Sequence, residues 1–393
     1  MKIKKQTIAC WIIIIQFLVY SLMYTPLQSN RILQILNGNF MQLTIVLFAV
    51  LIVTGMKNGK ITIIFGKELM RGFLMLFILL VISLIYIVIN HQNNENLVSG
   101  LETMLFPLLV VIGLMNISDF HQINNMMKII LWISIIGYII EIGTKTFTIS
   151  ELLTISIGES YSPFESHVFS GIAAGLAGYF CYFRKEKKYM IISVIFSLIT
   201  FKRIPLLFTV ILFVYSLFSI KKDEPIKKKT LFITIIVFCV AGVLYTQSMI
   251  PANISALNDI VEKYFSVDIS QFTMGRNTLF DALLERGFVR IGLDSTFLFS
   301  KDIEMDLVRL YMEVGIIGLV SVVTFFWSLV ERKRYVYLFM MSIFVNLLFS
   351  HSIHSTMGWI IKYIVIFSVS MYDSKCDAAK LPRVFEKRLR RAK

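Results

Sequence analysis

The feature that most constrains this 393-residue chain is a series of apolar runs that recurs from one end to the other. A helix needs about 20 apolar residues to cross a hydrocarbon core of roughly 30 Å. Hydrophobic residues make up 56% of the chain and charged residues only 16%, a composition far from that of water-soluble domains. The sequence therefore predicts an all-α, polytopic integral membrane protein.

The runs predict about 12 transmembrane helices in a single integral membrane domain that covers residues 1–393. Connections are short, with one exception between the ninth and tenth runs. The predicted spans are residues 7–25, 39–56, 72–90, 97–115, 127–143, 166–183, 189–201, 204–220, 230–249, 314–330, 336–350 and 359–372.

Alternate loops differ strongly in charge. With the N-terminus inside, the inner loops and the C-terminal tail hold 28 of the 39 Lys and Arg residues, and the outer loops hold 16 of the 25 acidic residues. Because Lys and Arg are enriched in cytoplasmic loops, we expect both termini in the cytoplasm. The net charge of +14 then reflects topology and contact with anionic membrane lipid, and argues against nucleic acid as a partner.

The outer surface carries two unusual features. Residues 250–313 form a predicted extracytoplasmic loop whose length is uncommon in the absence of a function. Lys202 and Arg203 interrupt an otherwise apolar stretch, where a cation at mid-bilayer costs about 2.5 to 3.5 kcal/mol. We therefore expect a turn at the outer interface. Its cations either reach toward the interface as ordinary turn residues or bind an anion such as diphosphate.

Further charged residues flank a predicted amphipathic helix over residues 277–286. Arg276 precedes this helix and Arg290 follows it, so that both can reach a common anion. The alternative is that they are solvated and paired with neighbouring carboxylates.

Asp306, Arg309 and Glu313 share one face of a predicted helix at spacings of three and four residues. Intrahelical pairing explains them without any chemistry. A carboxylate at the mouth of a span can also act as a general base, and Glu304 is an equal candidate.

Two histidines, His351 and His354, lie in a predicted outer segment. They are candidates for metal ligands, for bases, or for contacts with substrate or helix ends. No third ligand is close in sequence, so we predict no metal site and favour a role in substrate binding.

Residues 189–327 resemble the Wzy-type polysaccharide polymerases of the O-antigen ligase-like superfamily, which polymerise O-antigen or capsule repeat units. Two short basic motifs match, Phe201-Lys202-Arg203 and Gly275-Arg276-Asn277. The most specific match is the entry into the next span, Asp306-Leu307-Val308-Arg309-Leu310-Tyr311-Met312-Glu313-Val314-Gly315-Ile316-Ile317-Gly318-Leu319.

The resemblance implies a GT-C-like membrane glycosyltransferase in the bacterial cytoplasmic (inner) membrane. Its substrates would be oligosaccharides on undecaprenyl diphosphate, polymerised on the outer face without a metal or cofactor. Further partners would be chain-length regulator and flippase proteins. An O-antigen ligase-type transferase and a transporter of lipid-linked oligosaccharide are the alternatives.

The resemblance also implies roles for the charged residues. Arg203 and Arg276 would neutralise the departing diphosphate, helped by Lys202 and Arg290. Members of the family carry a His eleven residues before the first Gly of the entry motif, and this chain has Glu304 there. The base therefore stays open between Glu304 and Asp306. The predicted substrate-binding set is Lys202, Arg290, Arg309, Glu313, His351 and His354.

Overall fold

The computed structural model describes residues 5–24, 31–53, 63–143, 146, 148, 150–151, 154, 162–183, 186–218, 222–266, 268, 276–299, 303–330 and 333–372. Gly275 of the second basic motif and the tail from residue 373 onward lie outside the described residues. The regular secondary structure of the described part is helical, as predicted. Its α-helices are α1 Lys5–Leu22, α2 Arg31–Val53, α3 Gly66–Asn90, α4 Leu97–Ile117, α5 Phe120–Ile142, α6 Phe169–Tyr182, α7 Lys187–Ile199, α8 Arg203–Phe218, α9 Lys228–Gln247, α10 Pro251–Phe265, α11 Arg276–Glu285, α12 Asp306–Ser328, α13 Arg334–Phe349 and α14 Thr356–Met371.

Six described helices are long and apolar enough to cross a membrane: α1, α3, α4, α5, α9 and α12. Shorter apolar helices are α6, α8, α13 and α14. Each predicted apolar run overlaps a described helix. The described helices therefore indicate a membrane-embedded protein. The full count of 12 crossings and the GT-C-like class stay predictions.

The last described helix, α14, forms the centre of the bundle. Its side chains are buried from Met357 to Met371, and it packs against α4 and α6. Helix α12 packs against α3 and α9. Large apolar side chains face outward on the peripheral helices, among them Phe77 on α3 and Phe232 on α9. An apolar exterior over a packed interior is the arrangement expected of a bundle surrounded by lipid.

Small residues on α6 allow neighbouring helices to approach closely. A Cβ atom at Gly175 would lie 2.6 Å from the Ile361 side chain on α14, and one at Gly178 would lie 2.6 Å from Phe339 on α13. Glycine at such positions is typical of helix interfaces in membranes.

The region predicted as a single outer loop contains regular structure. Helix α10 follows Pro251, which suits a first helical position because it has no N–H to donate. Helix α11 confirms the predicted amphipathic helix, shifted by one residue, and a short 3-10 helix follows at Ser295–Phe299. Helix α12 begins at Asp306 and is interrupted at Gly315, a break that the sequence pattern did not predict.

The loops sort to two ends of the bundle. At one end, the segment before α9 meets the start of α13 through backbone hydrogen bonds from Arg334 to Glu224 and from Tyr335 to Lys222. These are loops predicted to face the cytoplasm. The other end, called the site end below, carries the α7–α8 turn, the segment before α12 and the α13–α14 turn.

Candidate functional site

The α7–α8 turn presents Lys202 and Arg203 at the site end. Phe201 adopts a left-handed conformation with φ of 48°, which lets the chain reverse within three residues of α7. The Tyr138 hydroxyl lies within hydrogen-bonding distance of two carbonyl oxygens, 3.2 Å from Ile199 and 2.8 Å from Phe164. The contacts of Tyr138 thus hold the end of α7 that leads into the turn. Lys202 and Arg203 are half-buried.

Asp306 anchors the α13–α14 turn to the start of α12. Its buried carboxylate accepts hydrogen bonds from the backbone N–H groups of Ser352 at 2.5 Å and Ile353 at 2.7 Å. The other carboxylate oxygen lies 3.3 Å from Arg309 Nη2 and 3.5 Å from His351 Nδ1. One oxygen of Asp306 thus accepts two backbone hydrogen bonds, and the other faces the side chains of Arg309 and His351.

Arg309 is fully buried beneath this turn. Its Nη1 lies 2.8 Å from His354 Nε2, and its guanidinium carbon lies 5.4 Å from the ring centroid of Phe297. Because a guanidinium only donates, His354 Nε2 accepts and the ring proton resides on Nδ1. Burial lowers the pKa of His354 to about 2, with smaller contributions from the charge of Arg309 and from His351.

Asp294 Oδ1 also lies 3.0 Å from His354 Nε2. The same ring nitrogen therefore faces both the guanidinium of Arg309 and a carboxylate oxygen. Asp294 itself has a left-handed backbone with φ of 60°.

Glu313 holds the segment that precedes α12. Its buried carboxylate accepts hydrogen bonds from the backbone N–H groups of Asp294 at 2.9 Å and Thr296 at 3.2 Å, and from the Thr296 hydroxyl at 2.6 Å. Buried carboxylates are stable only when such donors compensate for lost hydration. Glu313 therefore acts as a structural anchor in this arrangement.

Arg290 donates hydrogen bonds to carbonyl oxygens at the break in α12. Gly315 has φ of 67° and ψ of −169°, so the carbonyl oxygens one turn earlier lose their helical N–H partners. Arg290 Nε donates to the Met312 carbonyl at 2.6 Å, and Nη2 donates to the Tyr311 carbonyl at 3.2 Å. Its Nη1 lies 3.4 Å from the Tyr86 hydroxyl. The predicted role of Arg290 in anion binding thus competes with a set of internal contacts.

Arg276 and Glu304 form the accessible part of the site. Arg276 Nε lies 3.8 Å from Glu304 Oε2, and the glutamate side chain is 59% exposed. Arg276 also hydrogen-bonds the Tyr245 hydroxyl on α9. Among the predicted acidic residues, Glu304 is the one that solvent or a substrate reaches.

Lys202 connects the basic turn to these residues. Burial lowers the pKa of its amine, the carboxylates of Glu165, Glu304 and Asp306 oppose that shift, and Arg276 adds to it. Lys202 therefore lies within electrostatic reach of all four groups. Arg203, its neighbour, has a buried Nη2 with no hydrogen-bond partner among the described residues.

The predicted residues thus collect at one end of the bundle. Direct contacts join Asp306, Arg309, His351 and His354, electrostatic proximity joins Lys202, Arg276 and Glu304 to Asp306, and Glu313 and Arg290 lie along the same helix. Within the described ranges, no group of three or more His, Cys, Asp or Glu side chains is placed to hold a metal ion.

Sequence reasoning missed two contributors, the backbone N–H groups of Ser352 and Ile353 and the Thr296 hydroxyl, because no spacing pattern identifies them. Lys362 could be predicted, because it is the single charged residue inside the last predicted apolar run. Its amine lies 3.5 Å from Ser352 Oγ and 4.3 Å from the ring centroid of Trp359.

Comparisons of the chain with protein-family models, with curated proteins and with solved structures give no match.

Proposed function

We propose that this protein is a membrane-embedded glycosyltransferase that polymerises oligosaccharide units carried on undecaprenyl diphosphate. The observation that supports this proposal is the meeting of Lys202 and Arg276 with an accessible carboxylate, Glu304, at one end of an apolar helix bundle. Cations suit a diphosphate leaving group, and a nearby carboxylate suits a hydroxyl nucleophile. Membrane insertion confines both lipid-linked substrates to one leaflet and supplies proximity.

In the proposed reaction, a hydroxyl oxygen of the acceptor sugar forms a bond to the anomeric carbon of the donor glycan. The bond between that carbon and the diphosphate oxygen breaks, and its electron pair leaves with undecaprenyl diphosphate. Arg276, Lys202 and Arg203 stabilise the charge that develops on this oxygen. The proton of the attacking hydroxyl passes to a carboxylate.

Glu304 is the stronger candidate for that base. Its side chain is 59% exposed and lies beside Arg276. Asp306 is buried, and its oxygens already face two backbone N–H groups, Arg309 and His351. We assign Asp306 and Arg309 to holding the site in shape.

The test uses purified protein in lipid nanodiscs with a defined undecaprenyl-diphosphate repeat unit and a chelator. We expect a ladder of polymers. Arg276→Ala and Glu304→Gln should each slow its formation by roughly 100-fold or more while the protein stays folded. Glu262→Gln, a change on exposed helix α10, is the matched control and should leave the ladder unchanged.

A ladder that survives in Arg276→Ala and Glu304→Gln contradicts the proposed chemistry. Transfer of glycan to an added lipid acceptor without self-polymerisation identifies a ligase-type transferase instead.

A carrier of lipid-linked oligosaccharide is the second candidate, favoured by one observation. Helix α12 is broken at Gly315, and interrupted helices with buried charges line the substrate sites of transporters. Carriers typically show such breaks in two related halves, and α12 is the described helix with a non-helical residue inside it. Movement of fluorescent lipid-linked sugar across proteoliposomes without a ladder would favour this candidate.

A further inference from the structure

A cleft runs between α6, α8, α13 and α14, directly below the basic turn. It is lined by Gly171, Gly175, Pro205, Phe208, Asn346 and Lys362 among others. On α8 the lining extends from Pro205 to Leu212, a depth of roughly 10 Å at the helical rise per residue. The cleft therefore leads from the site end toward the middle of the bundle.

The cleft opens on a lipid-facing side of the molecule. Helix α8 is peripheral and exposes Leu207 and Val214. A Cβ atom at Gly171 would meet nothing within 4 Å, whereas one at Gly175 would press on Ile361. Gly171 thus faces open space within the cleft, and its missing side chain is part of the opening.

Polar groups lie at the inner wall of this apolar cleft. Lys362 is 6% exposed, and its charge is within electrostatic reach of Asp306 and Lys202. Asn346 Oδ1 is buried without a hydrogen-bond partner in the described part of the chain. Ionisable groups inside a membrane bundle are costly and commonly mark a ligand path.

We propose that this cleft is the entry site of an isoprenoid diphosphate, with the isoprenoid chain between α8 and α13 and the diphosphate directed to Lys362 and Lys202. The identity of the lipid rests on the proposed function. The apolar walls match a hydrocarbon chain, and the two amines match the anionic headgroup. Pro205, in the lining of the cleft, follows Arg203 by two residues, so the basic turn at Lys202 and Arg203 lies next to the cleft.

The cavity has a volume of about 30 Å³, which holds water but not an isoprenoid chain. Lipid entry therefore requires side chains at the mouth to move. Phe208 lines the cleft and is half-buried, so a change of its rotamer would alter the opening.

The binding test uses a diazirine-bearing farnesyl diphosphate as a photoreactive probe with the full-length protein in nanodiscs. In the wild type, labelled peptides should come from α6, α8 and α13. Gly171→Leu places a side chain in the opening, where its Cβ meets no atom within 4 Å, and should reduce labelling at least fivefold. Gly66→Leu places the same side chain on α3, where the nearest atom to its Cβ is 3.8 Å away, and should label like the wild type.

A second arm tests the headgroup contact. Unlabelled farnesyl diphosphate should compete with the probe at least tenfold better than farnesol in the wild type. Lys362→Met keeps the length of the side chain and should remove most of that preference. Equal competition by the alcohol in the wild type would overturn the assignment of Lys362.

These outcomes test the lipid-binding cleft independently of the proposed glycosyltransferase reaction, because labelling requires no glycan transfer. Labelling that depends on Gly171 in a protein that makes no ladder would support the lipid site and count against the transferase. Unchanged labelling in Gly171→Leu would overturn the cleft proposal, whether or not a ladder forms.

Discussion

The two ends of the helix bundle use charge in different ways. At the site end, Asp306, Arg309 and Glu313 are fully buried, and the two carboxylates accept backbone hydrogen bonds. At the opposite end, the pair formed by Arg334 and Glu224 is 46% and 40% exposed. Exposed pairs contribute little to stability, whereas buried charges are costly unless they are precisely paired. The comparison shows that charged groups at the site end are buried despite the cost of their desolvation, and that they are held in a fixed geometry.

The largest expected effect comes from breaking a pair at each end. Arg309→Met leaves Asp306 buried without its guanidinium partner, and we expect it to lower the free energy of unfolding by roughly 3 to 5 kcal/mol. Arg334→Met removes an exposed partner of Glu224, and we expect a loss below about 1 kcal/mol. Both variants keep a long side chain, so packing changes little.

Denaturant unfolding of the two proteins in one detergent measures the difference. Equal and small losses of unfolding free energy in the two variants would mean that Arg309 does not stabilise the buried Asp306. The contrast between the two ends would then not hold.

A second prediction concerns the helix break that Arg290 repairs. Gly315 has a backbone conformation that is essentially restricted to glycine, so Gly315→Ala should cost about 1 to 3 kcal/mol. A Cβ atom there would also lie 3.0 Å from the Tyr86 hydroxyl. Thermal unfolding measures the loss.

Gly171→Ala is the matched control for this glycine. Its new Cβ meets open space and improves helix propensity, so stability should stay equal or rise by up to about 1 kcal/mol. Should both changes be neutral, the break at Gly315 is not a strained element of the site end.

Part of this arrangement was predictable from the sequence. The apolar runs predicted the helices, and the cost of a cation in hydrocarbon predicted the turn at Lys202 and Arg203. Arg276 lies beside Glu304, another of the residues that the sequence had singled out. Each of these depends on local pattern or on the bilayer as a solvent.

The remaining features depend on contacts between distant segments. Arg290 caps carbonyls that are 21 and 22 residues away, and Arg309 meets His354 across 45 residues. Helical spacing allowed intrahelical pairing for Glu313, but it could not predict the hydrogen bond that Glu313 accepts from the backbone N–H of Asp294. No periodic pattern predicts that a guanidinium replaces the N–H groups of a broken helix.

A third prediction is a pH dependence of stability that is specific to the site end. His354 has its pKa lowered to about 2 by burial first and by Arg309 second, while an unfolded histidine titrates near 6.5. Between these two pH values His354 is protonated in the unfolded chain and neutral in the folded protein. Its contribution to the free energy of unfolding is therefore fully present above about pH 6.5 and falls as the pH drops. The limiting slope from one such group is about 1.4 kcal/mol per pH unit.

Unfolding measured from pH 7.5 to 5 should therefore be less pH-dependent in His354→Gln than in the wild type. His167→Gln is the control, since that side chain is 82% exposed and should leave the slope unchanged. If His354 instead formed a charged pair with Asp294, its folded pKa would lie above 6.5, and the wild type would gain stability on acidification relative to His354→Gln. The sign of the difference in slope between the two proteins thus decides whether Arg309 donates to a neutral ring, which is the contact that joins α12 to the α13–α14 turn.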